Sequence, residues 1–150
     1  MTATVTQARN EVFTLFRTAW LADASSLGVE LRYEDVGPTD PPKIPTGGDA
    51  PSWVRIQLRH ADGDQSSLGG ETGTRIFERF GIITVQVFTP TGDGLVLNDT
   101  LSLIARNAFE GKTTSPGAVR LRRARIVAVG EDGPWYQSNV LVDFEYDEVK

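Results

Sequence analysis

The chain of 150 residues contains no cysteine and only one histidine, His60. The absence of thiols excludes disulfides, thiolate catalysis, iron–sulfur clusters and cysteine-based zinc sites. Any histidine-based metal site or catalytic triad would have to include His60. We therefore expect neither a metal nor another cofactor. The length predicts one domain, residues 1–150, whose core is large enough to need no cross-link.

Positive charge and long apolar stretches are also scarce. The formal net charge is −5 at pH 7 and the sequence pI is about 4.9, which argues against a general nucleic-acid-binding protein. Every apolar run is shorter than the roughly 18 residues that indicate a membrane-spanning helix. Residues 1–6 are neither basic nor followed by the apolar core of a signal peptide. We therefore expect no membrane association.

Two segments have the apolar spacing of amphipathic helices. The first runs from about Thr6 to Asp23, and Thr4 or Thr6 is its expected N-cap. The second starts near Leu97 and ends at Glu110, with Gly111 as its expected C-cap.

Five other segments alternate apolar and polar residues, as half-buried strands do. The predicted strands are Val29–Val36, Ser52–His60, Thr74–Phe88, Ala118–Val129 and Trp135–Tyr146. The order α-β-β-β-α-β-β predicts an α+β fold, in which two helices pack on one face of a mainly antiparallel sheet. The alternation changes face at Gly81 and again between Leu121 and Ala124, which predicts a β-bulge or kink at both places.

Two long loops separate these elements. Residues 37–51 contain five prolines and three glycines, which exclude a helix or a central strand and indicate a surface loop. A ligand for SH3 or WW domains at Pro41-Pro42 is the less favoured interpretation. Residues 61–73 are rich in Gly, Ser and Asp and are predicted to form a flexible hairpin tip.

The region from Ser52 to Thr89 is predicted to form a projecting β-hairpin arm. In this interpretation, Ile82–Phe88 lies in the main sheet. Thr74–Phe80 pairs with the distal part of Ser52–His60 as a two-stranded ribbon beyond the sheet.

No motif for catalysis or ion binding is complete. Gly92-x-Gly94 precedes a helix but lacks the third glycine of a dinucleotide-binding loop. Asp62-Gly63-Asp64 resembles the start of a calcium loop, but position 73 is Gly where a bidentate glutamate is required. A Gly-x-Ser-x-Gly elbow is absent. We therefore expect a protein that is not an enzyme.

Three segments resemble the tail terminator, or tail completion, proteins of long-tailed bacteriophages: Phe80–Gly94, Ala105–Lys112 and Val127–Val140. The resemblance implies an α+β subunit of a hexameric ring that caps the tail tube, stops its polymerisation and presents a joining surface to head-completion proteins. Its partners would be further copies of itself, the tail tube protein and a connector protein. DNA would pass through the ring without specific contact. The resemblance places the protein in the virion tail, and in the host cytoplasm during assembly, for a phage, a prophage or a gene transfer particle.

The arginines of the chain have two interpretations, and the sequence leaves both open. They are either solvated side chains with carboxylate partners or charged subunit contacts, for which the planar guanidinium is well suited. The candidate residues for contacts with a neighbouring subunit or the tube are Arg55, Arg59, Asp62, Asp64, Leu68, Glu71, Arg75, Glu78, Arg79, Arg122, Arg123 and Arg125.

Two other functions remain open. The chain could be another tail subunit, such as a tube or head–tail connector protein, or a small ligand-binding or enzymatic α+β domain. If the arm serves assembly, deletion of residues 64–70 should impair tail completion and leave the fold intact.

Overall fold

The computed structural model describes residues 2–150 and has the predicted α+β fold and element order. The elements are α1 Val5–Ala22, a 3-10 turn Ala24–Ser26, β1 Glu30–Tyr33, β2 Trp53–Gln65, β3 Ile76–Pro90, α2 Val96–Phe109, β4 Arg120–Asp132 and β5 Trp135–Val149.

The five strands form one sheet in the order β1-β2-β3-β5-β4. All neighbours are antiparallel except β1 and β2, which pair in parallel from Glu30 opposite Trp53 to Tyr33 opposite Ile56. A parallel pair needs a long crossover connection, and the Pro-rich residues 37–51 provide it. The sheet is therefore mainly antiparallel, as predicted, with one parallel edge.

The main core lies between the helices and one face of the sheet. On α1, Ala8, Val12, Phe16 and Trp20 recur every four residues and are at most 1% exposed, which is the buried stripe of an amphipathic helix. The Phe16 ring stacks on Phe109 of α2 at 5.6 Å between centroids. The helix begins as predicted, because the hydroxyl of Thr4 accepts a hydrogen bond from the Gln7 amide at 3.2 Å.

Several predicted strand ends are wrong. β1 has four residues rather than eight, β2 continues five residues past His60, and β5 continues to Val149. Residues 61–65, expected in the flexible tip, are therefore in β2. The arm also has three strands rather than two, because β3 pairs with β5 as far as Ile76 opposite Val149.

The irregularity predicted at Gly81 lies on the neighbouring strand. β3 pairs regularly with β5 through Gly81, whereas the register of β2 shifts between His60 and Asp62, opposite Gly81. The bulge is thus at Ala61. The alternation of β3 does not change there. Its helix-side positions change from apolar residues to Arg79, and in the sequence this change of chemistry has the same pattern as a change of face.

The bulge predicted on β4 is confirmed, because the register shifts between Arg122 and Arg125. Arg123 has φ +54° at this place, a left-handed conformation that an irregular strand position can require. A second shift, between Ala128 and Gly130, was not predicted.

A small second cluster lies on the sheet face opposite the helices. The rings of Trp53 and Phe88 stack at 4.1 Å, and Trp135 meets Trp53 edge-on at 6.2 Å. Trp135 Nε1 donates to the carbonyl of Pro51 at 2.8 Å, and Arg32 donates to the carbonyls of Pro38 and Asp40. Both ends of the predicted surface loop 37–51 are therefore fixed to the sheet.

Candidate assembly surfaces

The arm is the continuation of β2, β3 and β5 beyond the bulge at Ala61. It comprises residues 62–65, 76–80 and 145–149, and Tyr146 is the one buried residue among them. The backbone ladder continues to the last residue, since Arg75 and Lys150 exchange two backbone hydrogen bonds of 3.0 and 2.9 Å. Beyond Tyr146, the ribbon is held by backbone bonds and buries no side chain, which keeps its surface free for a partner.

The tip of the arm contains four of the candidate interface residues. Leu68 is fully exposed, and a large apolar side chain at a loop tip has no packing role within the chain. Arg75 Nε donates to the carbonyl of Gly70 at 2.8 Å, and the carbonyl of Glu71 accepts from Thr74. Asp64 accepts from the amide of the next residue at 2.9 Å. These bonds are local and leave the side chains of Leu68 and Glu71 in solvent.

The helix side of the arm base holds a polar cluster around His60. Its Nε2 lies 2.7 Å from the hydroxyl of Tyr146, and its ring meets those of Phe144 and Tyr146 edge-on. Burial lowers the pKa of His60, and the nearby positive charges of Arg9 and Arg79 lower it further. The same burial raises the pKa of Tyr146. These shifts favour a neutral histidine held by packing and one hydrogen bond.

Arg79 belongs to this cluster and not to an exposed face of the arm. Its Nε lies 2.8 Å from Glu148, and the two side chains are 24% and 13% exposed. A Cβ on Gly63 would meet the guanidinium of Arg79, so the glycine leaves room for this side chain. The predicted interface role of Arg79 therefore competes with a role inside the chain.

The arginines of β4 lie over carboxylates of β5. Arg122 Nε is 2.7 Å from Glu145, while Arg123 and Arg125 both lie 3.3 Å from Asp143. Arg122 and Arg123 remain 63% and 73% exposed. Ion pairs that are this exposed contribute little to stability, so both side chains are available to a partner.

Glu78 joins the same charged network through Arg120, at 3.6 Å. Arg120 also lies 3.2 Å from Glu145 and 3.5 Å from Asp147. The network thus connects β3, β5 and β4 across the sheet face without helices.

The remaining three candidates lie on β2, in the body of the sheet or at the base of the arm. Arg55 donates to Gln86 at 2.7 Å and lies over the ring of Trp53, in the body of the sheet. Arg59 is 70% exposed and reaches Glu34 at 3.5 Å. Asp62, just past the bulge, accepts from the amide of Gly63 at 2.8 Å.

The structure therefore does not bring the twelve candidates together. They form four groups: at the arm tip, in the charged network of β4, in the His60 cluster that contains Arg79, and along β2 from Arg55 to Asp62. The bulge at Ala61 is the reason: it moves Asp62 and Asp64 onto the face of Phe80 and Glu78, while Arg79 stays on the helix side.

Sequence reasoning missed the polar and aromatic anchors of the fold. Asn98 is 1% exposed and bonds Thr89, the carbonyl of Tyr136 and Ser138, which ties α2 to β3 and β5. An asparagine inside an apolar helical stripe was the available signal. The signal for the second cluster was Trp53, a large aromatic at the same strand parity as Arg55.

A groove of about 680 Å³ lies between α1 and the loop before β4. Glu11 holds that loop, because it accepts a hydrogen bond from the amide of Gly117 at 2.8 Å. The groove is lined mainly by hydroxyl and amide side chains, such as Thr14, Thr18 and Asn10.

Within residues 2–150, no group of three or more histidine, aspartate or glutamate side chains is arranged to hold a metal ion. None of the described helices is long and apolar enough to cross a bilayer.

Two solved structures share the fold of this chain. No protein-family model matches the chain, and no curated protein matches it significantly. One solved structure is similar to this chain with 13% sequence identity, a TM-score of 0.62 and coverage of 92% of this chain and 94% of its own. Another is a chain from the virion of a native gene transfer agent particle, with 16% identity, a TM-score of 0.51 and 93% coverage of both chains. At these identities the likeness establishes the fold, which this protein shares with a chain of a gene transfer agent virion.

Proposed function

We propose that this protein is a structural subunit of a phage-like virion, and that it forms a ring that caps the tail tube, ends tail polymerisation and provides the head-joining surface. The observation that carries the proposal is the fold shared with a chain of a gene transfer agent virion over 93% of both chains. The resemblance of Phe80–Gly94 and Val127–Val140 to tail terminators gives the finer assignment.

The shape of the chain supports an assembly role. A cyclic ring needs heterologous contacts, in which one patch of a subunit docks onto a different patch of its neighbour. The arm extends β2, β3 and β5 beyond the bulge at Ala61 and ends in the exposed Leu68. Such an arm can lie on a neighbouring subunit or on the tube.

The charge of the chain supports a ring through which DNA passes. Binding to DNA is dominated by cationic contacts to phosphate, and this chain has a net charge of −5. The arginines of β4 are matched by Asp143 and Glu145. A lumen built from this chain would therefore not hold the genome by its phosphates.

Mass photometry and negative-stain imaging of the purified chain, alone and with isolated tail tubes, test the assignment. A terminator should give closed rings of six times the 16.4 kDa chain mass, free or at one end of the tube. Open tubes of the chain itself would identify a tube subunit instead. A stable monomer that does not bind the tubes and binds a small ligand in the groove beside α1 would identify a ligand-binding domain.

The arm tip gives a second test. Because Asp64 and Gln65 are part of β2, the deletion that tests the tip should remove residues 68–73 rather than residues 64–70. We expect this deletion to leave the unfolding midpoint nearly unchanged, since the removed side chains are exposed, and to abolish ring attachment to tubes. Shortening the anchored loop 37–51 by the same number of residues is the control. Loss of folding on tip deletion would contradict the arm interpretation.

A further inference from the structure

The outer edge of β4 has a feature that the candidate surfaces above do not use. β4 is the last strand of the sheet, and only its start is covered, where Leu121 donates to the carbonyl of Lys112 and Arg120 bridges Thr113. From Arg122 onward, no strand within residues 2–150 pairs with its outer side. A long unpaired edge is a template for another strand.

Four consecutive apolar residues lie on this open edge: Ile126, Val127, Ala128 and Val129. All four are exposed, and the three larger ones are 37%, 43% and 54% exposed. Proteins normally protect an open edge with charges and bulges. β4 has both, but its charges lie outside the apolar stretch and its bulges lie before Arg125 and at Val129, so Ile126, Val127 and Ala128 are unprotected. Exposed β-branched residues at an unpaired edge indicate an interface.

The charges on either side of the apolar stretch have opposite signs. Arg122 and Arg123 precede it, and the exposed Glu131 and Asp132 follow it. In the described part of the chain, neither Glu131 nor Asp132 forms an ion pair. A second copy of β4 in antiparallel orientation would therefore meet the first with opposite charges at both ends. A parallel copy would set arginine against arginine.

We infer that two copies of this chain pair through the outer edges of β4, antiparallel and centred on Val127. This register sets Arg122 opposite Asp132 and Arg123 opposite Glu131, so the dimer gains four charge pairs. The half of β4 before Val127 and the half after it each contain one bulge. The two halves that face each other in the dimer therefore each have one extra residue, and the register is kept along the whole contact. The two sheets become one sheet of ten strands, and the contact has two-fold symmetry.

The pairing does not depend on the proposed role in the virion. It differs from the contacts of a ring, because a two-fold contact joins the same residue of both chains, whereas a cyclic contact joins two different patches. The dimer can therefore be the free form of the chain or can join two rings.

Cysteine cross-linking tests the pairing cleanly because the natural chain has no cysteine. In an antiparallel pair, the Cα atoms of directly opposite residues lie about 4.5 to 5.5 Å apart, within the range for a disulfide. Under mild oxidation, Val127→Cys should run at double mass on a non-reducing gel. Val96→Cys, on α2 and 81% exposed, is the matched control and should stay at single mass.

A charge exchange tests the orientation. The double substitution Glu131→Lys with Asp132→Lys should weaken dimerisation about tenfold or more, because like charges then face each other across the strands. The complementary variant, Arg122→Glu with Arg123→Glu, should be equally impaired. An equimolar mixture of the two should form heterodimers, because opposite charges face each other again at both ends.

The outcomes separate this inference from the proposed function. Closed rings with no cross-link at Val127 beyond that of the Val96 control would overturn the pairing and leave the terminator role standing. A cross-linked dimer that never forms rings with tubes would support the pairing and count against that role. Failure of the mixed charge variants to form heterodimers, with normal circular dichroism for both, would overturn the antiparallel register.

Discussion

The base of the sheet and the arm are built from the same three strands, yet different forces hold them. In the base, Val85, Val140 and their neighbours are fully buried under α1 and α2. Past the bulge at Ala61, the strands keep their backbone ladder, and Tyr146, opposite Arg79, is the one buried side chain among them. Hydrogen bonds contribute modestly to net stability, whereas apolar burial dominates it. The comparison shows how a domain can extend a stable sheet into a segment of low local stability, which is suited to binding.

Gly81 is the junction between the two regions and should give the largest effect. A Cβ at this position would overlap the carbonyl oxygen of Arg59 and the ring of Phe144. We expect Gly81→Ala to lower the free energy of unfolding by about 3 kcal/mol, because backbone and a buried ring must both move. Gly63→Ala in the arm is the control, since a Cβ there crowds the flexible Arg79 side chain and meets backbone, at the Glu78 carbonyl, only at an ordinary 3.4 Å. It should cost no more than the loss of the Arg79–Glu148 contact, about 1–2 kcal/mol. Equal losses in urea denaturation would remove the distinction between junction and arm.

Arg79 tests whether the arm has stabilising contacts of its own. Arg79→Met should lower the free energy of unfolding by about 1–2 kcal/mol, because it leaves the Glu148 carboxylate, 13% exposed, without its partner. The matched variant Arg122→Met breaks an ion pair whose arginine is 63% exposed and should change it by less than about 0.5 kcal/mol.

The same variant also shows whether the arm opens independently. Hydrogen exchange in Arg79→Met should accelerate at residues 76–80 and stay unchanged at residues 83–87. Uniform acceleration along β3 would mean that the arm and the base unfold as one unit.

His60 should give the smallest effect. Its pKa in the folded chain lies below the ordinary value of 6.5, because of burial and the charges of Arg9 and Arg79, against the opposing charge of Glu148. The unfolded chain therefore binds the proton more readily. Stability should fall as the pH drops from 6.5 toward the lowered pKa of the folded state and should not recover below it.

The measurement is the difference in unfolding midpoint between the natural chain and His60→Gln at neutral and at mildly acidic pH. His60→Gln should lack the part of the loss of stability at acidic pH that begins below pH 6.5. If the unfolding midpoints of the two proteins depended on pH in the same way, His60 would not contribute to the loss of stability in acid.

The periodic segments of the sequence were the predictable part of the fold. The stripe of α1 and the alternation of β2, β4 and β5 place apolar residues on one side, and burial of that side fixes element type and order. The bulge near Arg123 was predictable because two apolar residues of one strand cannot change face without an extra residue. The strand ends were not predictable, because residues 61–65 have no apolar alternation. Pairing with β3 holds these residues in β2, and local sequence does not encode that pairing.

The candidate surfaces were less predictable than the fold. Arginines spaced along a strand suggest one charged ribbon, but the sequence does not show which carboxylates lie beside them. Arg79 pairs with Glu148 of β5, which is 69 residues away in sequence. Arg123 and Arg125 both pair with Asp143.

By itself, the sequence determined an α+β domain with two helices on one face of a five-stranded sheet, because apolar periodicity is local and burial selects the face. It also determined that any assembly contact must be made without cysteine. The tertiary structure alone decided that the arm has three strands, that the bulge lies at Ala61 and that the apolar stretch Ile126–Val129 stays at an open edge. The physical reason is that backbone pairing between distant strands depends on register and position in the sheet, which no single segment of the chain encodes.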